Sequence, residues 1–146
     1  MNQAQILRPL DSGEAFFFMA DRLSCMNFVL IAERSAPLDP VHIRQALAVI
    51  QVENPLLRVK VVWDETRGLC FSHAQGQPLA LECHAVDEGD WSGWIERELE
   101  RPFAQEEAPL MRCLYLQLRG ESRSVLVLCF HHSIADGRSG EDLLRR

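Results

Sequence analysis

Six consecutive apolar residues, Val125-Leu126-Val127-Leu128-Cys129-Phe130, constrain this chain more than any other feature. Side chains alternate across a strand, so a continuous apolar run must be covered on both faces. The run is a strand's length and falls far short of the roughly 18 to 20 residues that span a bilayer. It therefore reads as the central strand of a sheet with a layer on each side.

The remaining segments supply those layers. Ser12 reads as the N-cap of a short apolar helix through Ala20. Met26 to Glu33 reads as a strand. Asp39-Pro40 opens a helix with Asp39 as cap, and Ile43, Leu47 and Ile50 recur at helical spacing, so one face is buried. Pro55 ends it. Leu56 to Trp63 and Leu69 to His73 read as a hairpin about the turn 64–68. Leu79 to Val86 reads as a strand. Asp90 is expected to cap a helix to about Arg101, with Pro102 as its stop. Pro109 to Leu118 and Val125 to Phe130 are the strongest strands, joined through Gly120-Glu121, and a last helix is expected after Asp136-Gly137. The order α-β-α-β-β-β-α-β-β-α predicts an α/β fold, a mixed β-sheet flanked by helices, with no internal domain boundary over residues 1–146.

Composition narrows the function. A formal net charge of -6 argues against nucleic acid and against an anionic membrane surface. The first residues lack the basic-then-apolar pattern of a signal peptide. Five cysteines, an odd number with no CxxC pair, fit a reduced, cytoplasmic setting better than a disulfide framework.

The chemistry-bearing segment follows the apolar run: His131-His132-Ser133-Ile134-Ala135-Asp136-Gly137. A strand end opening into a loop is a common seat for a reactive side chain. Residues 126, 128, 130 and 132 share one face and 125, 127, 129 and 131 the other, so only one histidine faces a given cavity. Two satisfied structural histidines are one reading. A metal site of His131, His132 and Asp136 is disfavoured because adjacent strand residues point apart. Gly137-Arg138-Ser139-Gly140 lacks the spacing of a nucleophile elbow, and a Cys129 nucleophile would have to leave a buried face.

These seven residues resemble the HHxxxDG signature of the chloramphenicol acetyltransferase-like superfamily, which includes condensation domains of nonribosomal peptide synthetases and polyketide-associated acyltransferases. Pro102-Phe103 and Ala108-Pro109-Leu110-Met111-Arg112 are similar to the family's "PF…PLxR" stretch. Leu57-Arg58 matches the end of its "RHxxLR" segment, where Glu53-Asn54 replaces Arg-His. That departure favours a free-standing, polyketide-associated type of enzyme. The resemblance covers the chain from Leu7 onward and implies one lobe of a chloramphenicol acetyltransferase-like fold. Residues 1–146 would be the N-terminal lobe, with the C-terminal lobe absent or supplied by a second chain.

The resemblance implies an acyltransferase with His132 as general base and no metal or bound cofactor. The donor would be an acyl-CoA or an acyl-carrier-protein phosphopantetheine thioester, and the acceptor an alcohol or amine. An unperturbed imidazole titrates near ~6.5, which suits a base at neutral pH. His131 and Gly137 would be structural. Asp136 would pair with Arg58, or failing that Arg112. The competing class is a non-catalytic lobe that binds a carrier protein or partner chain.

Overall fold

The computed structural model describes residues 6–74, 77–104 and 109–135. The elements run β1 (Ile6–Pro9), α1 (Ser12–Ala20), β2 (Asn27–Arg34), α2 (Pro40–Glu53), β3 (Val59–Asp64), β4 (Gly68–His73), β5 (Ala80–Val86), α3 (Trp91–Glu100), β6 (Met111–Leu118) and β7 (Ser124–His131). They form two sheets. One is antiparallel, β1-β4-β3; the other is mixed, β2-β7-β6-β5, with β5 and β6 parallel. The α/β plan expected from sequence is the one found.

The apolar run lies within β7, an inner strand paired antiparallel with β2 and β6. Its two faces go where the alternation requires. Leu128 and Phe130 join the larger core with Ile43, Leu47 and Ile50 of α2 and Val59, Val61 and Phe71 of the small sheet, and Leu126 packs against it. Val125 and Val127 enter a second core with Ile95 of α3 and Leu114, Leu116 and Leu118 of β6. The helix α3 crosses between the parallel strands β5 and β6, the connection that parallel pairing demands.

Three local expectations need correction. The cap of α1 is Asp11, not Ser12: its carboxylate accepts the Glu14 N–H at 2.8 Å, and Glu14 returns the bond to the Asp11 N–H at 2.7 Å. Such a reciprocal box satisfies two free amides, which a cap at Ser12 could not do. Strand β3 begins at Val59, because Pro55 starts a 3-10 turn, Pro55–Arg58, that occupies the expected first part of the strand. Asp90 makes no side-chain cap bond; it ends a 3-10 turn, Glu88–Asp90, and is already helical. Strand β1 goes beyond the sequence reading, since Ile6-Leu7-Arg8-Pro9 carries no distinctive pattern. The hairpin turn is as expected, with Gly68 at φ 77°, a conformation open chiefly to glycine. The helix expected after Asp136-Gly137 lies outside the described residues. No helix among the described residues is long and apolar enough to cross a membrane.

Candidate functional site

The site is built where β7 runs out. His131 is its last residue and lies opposite Asn27, the first residue of β2. The two histidines then part, as the alternation predicts. His131 is fully buried. Its backbone N–H donates to the Leu110 carbonyl at 3.0 Å. Its Nδ1 accepts the Ser133 backbone N–H at 3.0 Å and lies 2.7 Å from the Ser133 hydroxyl. Its Nε2 lies 3.2 Å from an Asp21 carboxylate oxygen, an ion-pair distance approached off the ideal hydrogen-bond line. Burial lowers the His131 pKa below the ordinary histidine value, and the nearby Asp21 only partly opposes it. A neutral ring with its proton on Nε2 satisfies these contacts.

His132 is half-buried and faces other partners. Its ring stacks on Phe17 of α1, with centroids 4.7 Å apart and planes 19° apart, and tilts against Phe28 of β2 at 4.5 Å. Phe28 stacks in turn on Phe130 at 5.2 Å, so the three rings continue one face of the sheet. The His132 N–H donates to the Met26 carbonyl at 2.9 Å. Two aromatic walls and one backbone bond thus hold the imidazole, the arrangement a proton-transfer group needs if it is not to swing.

Phe103 and Arg112 lie beneath His131. The Phe103 ring meets His131 edge-on at 6.5 Å, and the Arg112 guanidinium lies 4.2 Å over Phe103. Arg112 is nearly buried and pairs with the buried carboxylate of Glu98. It also donates to the carbonyls of Glu98 and Arg101, at 2.9 and 2.7 Å. Asn27 donates to the same Arg101 carbonyl at 2.7 Å, tying the end of α3 to the start of β2.

Among the residues singled out from sequence, His131 and His132 meet here. Arg112 is engaged by Glu98; Asp136, its expected partner in the alternative pairing, lies outside the described residues. Arg58 ends the 3-10 turn, and its Nε is buried without a hydrogen-bond partner among the described residues. Asp136 and Gly137 lie outside the described residues, so the Asp136–Arg58 pair does too. Among the described residues, no three His, Cys, Asp or Glu side chains are grouped as metal donors. Sequence reasoning missed Phe17, Asp21 and Phe28. The three-phenylalanine run signalled an apolar helix, but nothing in its spacing says which ring reaches the histidine.

No family model matches the chain. It is 27% identical over 146 residues to a linear gramicidin synthase of Brevibacillus parabrevis, covering 93% of this chain and 3% of that protein. It is 27% identical over 143 residues to a polyketide synthase-nonribosomal peptide synthetase of Aspergillus clavatus, covering 94% and 4%. The fold superposes on the first condensation domain of the calcium-dependent antibiotic synthetase with a TM-score of 0.83 at 20% identity, covering 93% of this chain and 35% of that one. A variant of the starter condensation domain of rhizomide synthetase RzmA in complex with C8-CoA gives 0.81 at 14%, covering 94% and 33%. The chain therefore has a condensation-domain fold. It spans about a third of these solved chains and a few per cent of the synthetases. The preference for a free-standing polyketide-associated enzyme, drawn from Glu53-Asn54, finds no support in these multidomain relatives.

Proposed function

Starting from the condensation-domain fold, we propose that this chain is the N-terminal lobe of an acyl-transferring condensation domain, with His132 as its general base. The observation that carries this reading is the held imidazole of His132 at the end of the central strand, gripped by Phe17 and Phe28 with its backbone fixed to Met26. An acyl thioester on CoA or on a carrier-protein phosphopantetheine is the donor, and an amine or hydroxyl is the acceptor. The acceptor attacks the thioester carbonyl while its proton passes to His132. The new C–N or C–O bond forms, the C–S bond breaks, and the departing thiolate recovers the proton from the imidazolium. Transfer is direct, and the reaction needs no metal. The second wall of the substrate channel comes from a C-terminal lobe, in the same polypeptide or in a partner chain.

The experiment is thiol release from an octanoyl thioester with an amine acceptor, using the intact protein that carries this chain. His132→Ala lowers turnover about 10²- to 10⁴-fold, the usual range for removing a general base. His131→Ala acts mainly through a lower melting temperature. Full turnover by His132→Ala would overturn the assignment.

A further inference from the structure

Asp21 follows the last residue of α1, and a single oxygen of its carboxylate serves both histidines. That oxygen, Oδ1, accepts the Met26 backbone N–H at 2.8 Å and lies 3.2 Å from Nε2 of His131. The Met26 carbonyl accepts the His132 N–H at 2.9 Å. His131 is thus tied to Asp21 through its ring, and His132 through the peptide of Met26. The Ser133 N–H occupies Nδ1 of His131, which leaves the neutral ring's proton on Nε2, facing Asp21. Four residues earlier on the same helix face, Phe17 stacks on His132. One end of α1 therefore supplies both the ring against His132 and the carboxylate that anchors the backbone around it.

We propose that Asp21 is a positioning residue for His132, holding it through the Met26 peptide and through His131 so that its imidazole stays between Phe17 and Phe28. The proposal rests on His132 being the base, but its first test does not. The carbon-bound ring protons of His132 lie over Phe17, whose ring current moves their NMR signals. Asp21→Ala removes the shared oxygen, so these signals move toward the values of a free histidine. Asp21→Asn keeps an oxygen that can accept both N–H groups, so they stay near their native values. In turnover of the intact protein, with an octanoyl thioester and an amine acceptor, Asp21→Ala lowers kcat about 10- to 100-fold with KM nearly unchanged, the scale of a small misplacement of a catalytic group. Asp21→Asn recovers most of that loss.

His131→Asn cuts the same link from the other side, since an asparagine there can still accept the Ser133 N–H but has no ring to reach Asp21. It gives a parallel displacement of the His132 signals should Asp21→Ala fail to fold. Native His132 signals in either folded loss-of-contact variant would overturn the proposal. So would equal kcat in Asp21→Ala and Asp21→Asn. If instead the signals move as expected while His132→Ala retains full turnover, the positioning stands and the assignment of the base falls.

Discussion

His132 and Phe17 lie ring on ring, 4.7 Å between centroids, although more than a hundred residues separate them in the chain. Stacked aromatic pairs contribute about 0.5 to 1.5 kcal/mol beyond the area they bury. Phe17→Leu keeps an apolar side chain and removes the stack. If the stack steadies the base, turnover falls roughly 2- to 10-fold, the same energy expressed as a rate. Kinetics of the intact protein check this, and unchanged turnover would limit Phe17 to packing.

Beneath the site, Glu98 and Arg112 form a buried pair. Removing one member strands the other charge, which typically costs about 3 to 5 kcal/mol. Glu98→Ala should therefore lower the urea midpoint sharply. Replacing both residues by methionine should recover much of the loss, because no charge is left unpaired. Equal losses in the single and double variants would count against this account.

Acid should destabilise the fold in two separate ranges. The His131 pKa is lowered in the folded state, chiefly by burial, so the unfolded chain takes up that proton first. Stability then falls as pH drops below about 6.5, by at most about 1.4 kcal/mol per pH unit, and His131 contributes no slope above that. The Glu82 carboxyl is lowered by its hydrogen bond to Arg101, so its contribution is full above its ordinary value of 4.5 and is lost only at lower pH. Urea melts at pH 7, 6 and 5 should show a slope that His131→Asn flattens. An unchanged slope would exclude His131 as its source.

The thiols should react in order of exposure. Burial pushes Cys113 up to about 12 and Cys129 up to about 11, which leaves almost no thiolate near neutral pH. Cys83 is exposed, whereas Cys70 is buried. Iodoacetamide on the folded chain should mark Cys83 first, with Cys70, Cys113 and Cys129 modified only after unfolding. Peptide mass mapping reads the order, and early labelling of Cys113 would contradict the packing of β6.

Much of the scaffold is readable in advance because period-two alternation is a local property. It separates His131 from His132 and assigns the faces of β7 before any partner is known. The helix face Ile43, Leu47, Ile50 is legible for the same reason at helical spacing. Local competition hides other features. Pro55 favours a tight turn over the start of a strand, and Asp11 with Glu14 forms a box that Ser12 could not. The grip on His132 is hidden for a different cause. Phe17 and Asp21 reach the histidines only after α1 docks against the end of β7, and no spacing within α1 encodes that distant register.

The position of β7 between β2 and β6 bears on how the chain is born. Its eight pairings with β2 join residues 27–34 to residues 124–131, so an early strand must wait for one made almost a hundred residues later. Synthesis proceeds from the N-terminus at about 5 to 20 residues per second. Throughout that interval β2 and, once it is made, β6 lack their shared neighbour and present unpaired edges, which are templates for association with other chains. Closure of the sheet and the arrival of His131 and His132 are then one event. A nascent chain halted before β7 emerges would have neither a finished sheet nor a site, and that stage of synthesis is when it would most need a chaperone.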